Sequence, residues 1–252
     1  LARTCGWTMA SELRACGIDL SFAPVVDVDL GLCGVIGDRA CHRDPRAVSE
    51  ISQAYIGGMH EAGMKATAKH FPGHGGVIGD AHPTRPVDQR DYKRLAGGIK
   101  PYRALIAAGL ESIMMAPVSY PAVDDRPACF SIAWIQGELR GRFGFSGAIF
   151  SPVLTARASP DTALGRLAKS AQEAGCDVIV LSGDRDEIEA AGERLEICTP
   201  VSQVRRARLH GGRAPAWQRL RMSPGWREAR VALESLQSSP ELELDGGPGT
   251  AG

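Results

Sequence analysis

One local pattern recurs five times along the chain and restricts the fold more than any other feature. A helix-like stretch ends at a glycine, and a short, largely apolar run follows; the glycines are Gly17, Gly63, Gly109, Gly144 and Gly175. Glycine directly after a helix adopts a left-handed backbone conformation without a Cβ penalty. Apolar runs of strand length are typical of buried parallel strands. The pattern therefore predicts five consecutive helix–strand units.

The spacing of these glycines narrows the fold class. They are separated by 46, 46, 35 and 31 residues, which is room for one helix, one strand and the loops between them. Such alternation is typical of parallel β-α-β units. No Gly-x-Gly-x-x-Gly motif follows a predicted strand, which argues against a dinucleotide-binding sheet. Long polar loops follow the strands instead, so we predict an α/β fold of the (β/α)8 TIM-barrel type, with its chemistry at the strand ends.

Charge and composition exclude several classes of protein. The chain has 252 residues with 29 Lys and Arg against 29 Asp and Glu, so its net charge is zero. A nucleic-acid partner would favour a basic excess, and a membrane span would need a far longer apolar run. The seven cysteines form no Cys-x-x-Cys pair, which favours reduced thiols. We expect a monomeric cytoplasmic protein with no nucleic-acid or membrane partner.

The segment from Lys69 to His82 is the richest in chemistry. It holds three of the six histidines of the chain together with four glycines and a proline, a composition that indicates a shaped loop rather than a helix. Lys69 offers a cation and His70 a donor, and Asp80 can orient His82 and raise its basicity. This pattern favours a site for a sugar or another small molecule.

Two other interpretations of the same loop remain open. His70, His74, Asp80 and His82 are suitable ligands for zinc or iron, although their spacing fits no standard metal signature. Alternatively, the loop is simply rich in glycine and its histidines are solvated. The acids Asp27 and Asp29 follow the first predicted strand, where they either bind a ligand or cap the next helix.

Several segments together resemble glycoside hydrolase family 3. These are the run from Asp19 to Asp27 (DLSFAPVVD), Val35 to Arg39 (VIGDR), Lys69 to Gly75 (KHFPGHG) and Gly79 to His82 (GDAH). The sequence is most similar to the bacterial β-N-acetylhexosaminidases that recycle cell-wall muropeptides in the cytoplasm. The Lys-His-Phe-Pro-Gly-His-Gly run with the following Asp-x-His pair is quite specific for this family.

The resemblance implies a fold, an activity and a set of site residues. The fold is a TIM-like barrel, and the activity is retaining cleavage of terminal N-acetylglucosamine, here from a muropeptide. Asp80 and His82 match the acid/base dyad. Arg39, Lys69 and His70 match positions that bind the sugar hydroxyls and the N-acetyl group. The family implies no metal and no organic cofactor.

The sequence also departs from the family pattern at several positions. The retaining nucleophile is an Asp directly after the serine that ends a strand, and this chain has Pro152 there, followed by Val153. Pro117 stands where relatives usually carry a histidine. One or two family strands that precede this sequence are absent from it, so we expect an incomplete barrel over residues 1–236, followed by a disordered tail over 237–252.

Three hypotheses about function follow. The first is a β-N-acetylhexosaminidase-like hydrolase with an Asp80–His82 acid/base and low turnover, because Pro152 cannot act as a nucleophile. The second is a non-catalytic sugar-binding relative or a gene fragment. The third, a metal-dependent hydrolase that uses the histidine cluster, has the least support.

Overall fold

A parallel sheet of five strands forms the centre of the molecule. The computed structural model describes residues 1–77, 86–156 and 163–237. The strands of this sheet are β1 (Leu20–Ser21), β2 (Lys65–Phe71), β3 (Ser112–Met115), β6 (Ala148–Leu154) and β7 (Val178–Leu181), hydrogen-bonded in that order. All four pairings are parallel. Each of the five predicted apolar runs therefore contains a strand.

Helices connect these strands. The described helices are α1 (Ala2–Ala15), α2 (Pro45–Glu61), α3 (Tyr92–Ala107), α4 (Leu164–Ala174), α5 (Arg185–Gly192), α6 (Pro200–Ala207), α7 (Trp217–Met222) and α8 (Pro224–Gln237), with a π-helix over Ala133–Arg142 and 3-10 turns at Gly37–Arg39 and Ala128–Phe130. A small antiparallel pair, β4 (Ser119–Tyr120) and β5 (Asp124–Pro127), follows β3. Within the described residues the sheet is an open half-barrel with β1 and β7 at its edges. The prediction of an incomplete α/β barrel is confirmed.

The recurrent glycines have the predicted backbone conformation. All five have a positive φ, from 65° at Gly144 to 118° at Gly175. This is the region that residues with a Cβ rarely enter, so glycine ends each helix and turns the chain toward the next strand. The sequence pattern thus has a direct structural cause.

Close helix packing supports the first half of the sheet. A Cβ added to Gly6 of α1 would lie 2.1 Å from the carbonyl oxygen of Tyr55, and one added to Gly58 of α2 would lie 2.0 Å from that of Arg3. These two glycines let the backbones of α1 and α2 come into contact.

Of the helices in the described ranges, none is both long enough and apolar enough to cross a bilayer.

An aromatic cluster lies directly beneath the end of β2. Phe71 is fully buried and makes edge-to-face contacts with Tyr102 (5.1 Å between ring centroids), Trp134 (6.0 Å) and Phe143 (6.1 Å). Removing a buried phenylalanine side chain costs about 3–5 kcal/mol. This packing fixes the end of the strand that carries Lys69 and His70.

Candidate functional site

The candidate site is centred on the carboxyl end of β2, where the strand contains a β-bulge. Lys69 pairs with Met114 and Phe71 pairs with Met115, so His70 is an extra residue in the register with β3. A bulge of this kind re-aims side chains and is common next to active sites. The peptide bonds Lys69–His70 and Phe71–Pro72 are both cis. In the sequence, this strand end is marked by the Lys-His-Phe-Pro run.

The chain beyond β1 runs alongside β2 and delivers a buried carboxylate. Val26 donates its backbone N–H to the carbonyl oxygen of Lys69 at 2.7 Å, and Val25 bridges to Lys69 in parallel. Asp27 comes one residue later and is fully buried. It therefore lies beside the bulge at His70, on the segment that follows β1.

Asp27 holds two histidines of the loop through its two oxygens. Nδ1 of His70 donates to Oδ2 at 2.8 Å, and the backbone N–H of His74 donates to Oδ1 at 2.7 Å. Because a carboxylate only accepts, the hydrogen of the His70 ring lies on Nδ1. Nε2 of His70 makes no hydrogen bond to another described residue, so it is available to bind a ligand.

Lys69 and Arg39 supply positive charge beside this carboxylate. The Lys69 side chain is half-buried, and its ammonium makes no hydrogen bond or ion pair with any described residue. Burial lowers the pKa of Lys69, the charge of Arg39 lowers it further, and Asp27 opposes both effects. Arg39 is exposed on its 3-10 turn and donates Nη2 to the carbonyl oxygen of Val35 at 2.6 Å. Of the predicted site residues, His70 is bonded to Asp27, Lys69 lies close enough to feel its charge, and Arg39 lies close enough to lower the pKa of Lys69.

His74 lies behind His70 in a buried position. Its Nδ1 is 3.3 Å from Sγ of Cys33, and its ring contacts that of His70 with centroids 5.8 Å apart. Burial lowers the pKa of His74, the Asp27 charge raises it, and the charges of His70 and Arg39 lower it. A buried, neutral His74 is a support for the site rather than a solvated side chain.

The carboxyl end of β6 is built differently. Pro152 is buried and Val153 is 57% exposed. The pairing of β6 with β7 shifts between Phe150 and Val153, as expected where a proline has no N–H for the ladder. The buried hydroxyl of Ser151 donates to the carbonyl oxygen of Pro152 at 2.8 Å and accepts from the N–H of Val180 at 2.9 Å.

Other predictions about polar residues have mixed outcomes. Asp80 and His82 lie outside the described residues. Asp29 accepts from Gly31 N–H at 2.8 Å and closes a turn, while the residue that caps α2 is Asp44. Neither Asp27 nor Asp29 therefore caps the next helix. The predicted tail over 237–252 also lies outside the described residues, except Gln237, which ends α8.

The metal interpretation concerns the same loop. Over residues 1–77, 86–156 and 163–237, no group of three or more His, Cys, Asp and Glu side chains is arranged to hold a metal ion. Two of the four candidate ligands, Asp80 and His82, fall outside those ranges.

Sequence reasoning missed three contributors to the site. It did not assign Asp27 as the residue that orients His70, although the acid directly follows an apolar run. It did not pair Cys33 with His74, which are 41 residues apart. It also missed Tyr120, whose buried hydroxyl donates to the carbonyl oxygen of Gly73 at 2.9 Å and fixes the loop. No sequence spacing marks these long-range contacts.

Comparison with known proteins places this geometry in a family. Residues 1–208 match the glycosyl hydrolase family 3 N terminal domain. A beta-hexosaminidase from Thioalkalivibrio sulfidiphilus is 44% identical over 252 residues, which cover 97% of this chain and 71% of the relative. One from Methylococcus capsulatus is 45% identical over 246 residues, covering 95% and 73%. The chain belongs to glycosyl hydrolase family 3.

A solved family 3 structure has the same fold. NagZ from Neisseria gonorrhoeae in complex with N-trifluoroacetyl-D-glucosamine superposes with a TM-score of 0.86 at 37% identity, over 94% of this chain and 70% of that protein. The family 3 resemblance that the loop motifs suggested is therefore confirmed. The roles of individual residues in this family 3 chain stay predictions.

Proposed function

We propose that the chain is a glycoside hydrolase of the β-N-acetylhexosaminidase type that recognises terminal N-acetylglucosamine. The observation that carries this proposal is the buried carboxylate of Asp27 that orients His70, with the positive charges of Lys69 and Arg39 nearby. Lys69 and Nε2 of His70 have no partner among the described residues, so both can bond to sugar oxygens. Relatives named beta-hexosaminidase and the N-trifluoroacetyl-D-glucosamine complex of the gonococcal protein support the choice of an amino sugar.

The roles of the site residues follow from their chemistry. Arg39 and Lys69 donate to the hydroxyl groups and the N-acetyl oxygen as charge-assisted donors, and the fixed His70 selects one orientation of the ring. The Asp80–His82 dyad protonates the glycosidic oxygen as the bond to the leaving group breaks. Pro152 supplies no carboxylate to receive the sugar, so water must take it directly as the leaving group departs, and we expect turnover to be slow.

The natural substrate we propose is a cell-wall muropeptide with a terminal N-acetylglucosamine. We also propose that the chain is monomeric and acts in the cytoplasm. We further propose that residues 1–236 act as one barrel-type unit and that 237–252 form a tail. The family supports the sugar, whereas the aglycone and the location rest on the sequence resemblance.

The test is release of p-nitrophenol from its N-acetylglucosaminide by the purified, folded chain. We expect slow release that is lost in Lys69→Ala and in His82→Ala. Lys100→Ala, at an exposed position of α3, is the matched control. Release no faster than background in a folded sample would contradict the hydrolase proposal.

A second candidate function is favoured by Pro152, which is buried where the family nucleophile is expected. In this case the chain binds the amino sugar without cleaving it. Calorimetric titration with N-acetylglucosamine separates the two candidates. Saturable binding that weakens in Lys69→Ala, without release of p-nitrophenol, supports the binding function alone.

A further inference from the structure

A small cavity lies next to the loop that carries His74. Its volume is about 220 Å³, and it is lined by Gly73 and Gly75, on either side of His74, but not by His74 itself. Its other walls come from the chain after β1 and from the start of α3. Pockets that enclose drug-sized ligands are usually about 300–1,000 Å³. The cavity therefore suits a small chemical group rather than a whole sugar.

The charged residues that line this cavity are all arginines. They are Arg43, Arg90 and Arg94, and no carboxylate of the described residues is among the lining groups. A guanidinium presents a planar fork of donors that matches a carboxylate or a phosphate in a bidentate arrangement. Each of the three also forms an ion pair with an aspartate, so the guanidinium donors that these pairs leave unused are what favours an anion.

The acidic partners of these arginines leave donors unused. Nε and Nη2 of Arg90 donate to the fully buried Asp88 at 2.6–3.0 Å. Within the described ranges, Nη1 of Arg90 has no hydrogen-bond partner. Arg43 donates only Nε, to Asp29 at 3.3 Å, so both of its terminal nitrogens also remain without a described partner.

Arg94 is the least engaged of the three. Its Nε lies 3.9 Å from Asp91, beyond hydrogen-bond distance. That carboxylate caps α3 by accepting the backbone N–H of Arg94 at 2.8 Å. The Arg94 guanidinium is therefore available to a ligand at the edge of the cavity.

We propose that this cavity binds a small oxyanion, either a carboxylate or a phosphate group, between Arg43, Arg90 and Arg94. Arg90 is pre-oriented by its bidentate contact with Asp88, and the two exposed arginines close over the anion. Glycines at 73, 75, 97 and 98 present only backbone to the cavity, and apolar side chains complete its walls. None of the proposed sugar-binding residues Arg39, Lys69 and His70 lines this cavity.

The experiment is calorimetric titration of the intact chain with inorganic phosphate and, separately, with malonate, at constant ionic strength. We expect saturable binding in at least one arm, and the tighter arm identifies the oxyanion. Arg43→Ala/Arg94→Ala should weaken it at least tenfold. The matched control is Arg185→Ala/Arg227→Ala, which removes the same charge from exposed positions on α5 and α8 and should bind as the wild type does.

A second variant tests the cavity without removing charge. Gly97 lies within α3, and a Cβ built there meets no atom within 4 Å. Gly97→Leu should retain the fold, fill the volume and weaken binding. Absence of saturable binding in both arms overturns the proposal. Wild-type affinity in Arg43→Ala/Arg94→Ala also overturns it. The same holds if binding is lost in Arg206→Ala instead, because Arg206 lines a separate cavity beside β7.

Discussion

The carboxyl ends of β2 and β6 lie in one sheet, yet they use their polar groups in opposite ways. At β2 a buried carboxylate orients His70, and Lys69 remains without a described partner. At β6 the hydroxyl of Ser151 is occupied by Pro152 and Val180 of the sheet itself. Available donors mark a place where a ligand can bind, whereas internally satisfied groups mark a structural strand end.

Under the proposed function, this difference separates recognition of the sugar from turnover. Binding needs donors near the sugar, and the β2 end has them. A retaining reaction also needs a carboxylate on the other side of the anomeric carbon, and the β6 end has Pro152. A chain of this kind can keep the affinity of a hydrolase while it loses most of the rate.

The largest effect we predict comes from giving the β6 end a carboxylate. Pro152→Asp should raise the rate of p-nitrophenol release by roughly 10³-fold, since loss of a covalent nucleophile costs orders of magnitude. The measurement is the initial rate with the N-acetylglucosaminide. Circular dichroism checks that the buried substitution leaves the chain folded.

Pro152→Asn is the matched control, because it has the shape of Asp without the charge. We expect it to remain at the wild-type rate. If Asn and Asp raise the rate equally, or if a folded, sugar-binding Pro152→Asp variant gains nothing, the two strand ends do not divide recognition from turnover.

The β2 end is tested by Lys69→Met, which removes the ammonium and keeps most of the side-chain volume. Charge-assisted hydrogen bonds contribute about 1.5–3 kcal/mol, so affinity for N-acetylglucosamine should fall roughly 10- to 100-fold. The melting temperature should stay equal or rise, because a half-buried charge without a described partner is removed. Lys100→Met should change neither quantity. A fall in melting temperature would assign Lys69 a structural role.

Asp27→Asn should have a smaller effect on binding but a clear effect on stability. The two oxygens of Asp27 accept from His70 and His74, and an amide offers only one oxygen. One buried donor then faces an NH2 group, at a cost of about 1–3 kcal/mol in the free energy of unfolding. We expect roughly tenfold weaker sugar binding by calorimetry. Asp29→Asn is the control, and equal losses in both variants would contradict a positioning role for Asp27.

The repeated elements of this fold could be predicted from sequence because their causes are local. Glycine after a helix, an apolar run and the spacing between them are visible in a short window, and each predicted run contains a strand. The open half-barrel also follows from these units, since parallel strands joined by helices pair with their neighbours.

The site was only partly predictable, because its decisive contacts are long-range. Lys69 and His70 stand out by their own motif. The role of Asp27 depends on the segment that follows β1 lying against β2, and Asp27 and His70 are 43 positions apart in the sequence. The Ser151 hydroxyl accepts a hydrogen bond from the backbone N–H of Val180, 29 positions away in the sequence. Register of this kind is set by packing, which a single sequence does not display.

The smallest effect we predict sharpens the comparison through pH. Burial lowers the pKa of His74, so the unfolded chain binds a proton at a higher pH than the folded chain does. The free energy of unfolding should therefore be fully maintained above pH ~6.5, the ordinary histidine value, and fall as pH decreases toward the lowered pKa. His74→Gln should reduce this change of the free energy of unfolding with pH, measured in urea titrations at several pH values.

Ser151→Ala, at the β6 end, is the control. It should lower the free energy of unfolding by about 1 kcal/mol at every pH, because the hydroxyl does not titrate there. An unchanged slope in His74→Gln would mean that other groups carry the pH dependence and that the β2 end does not titrate differently from the β6 end.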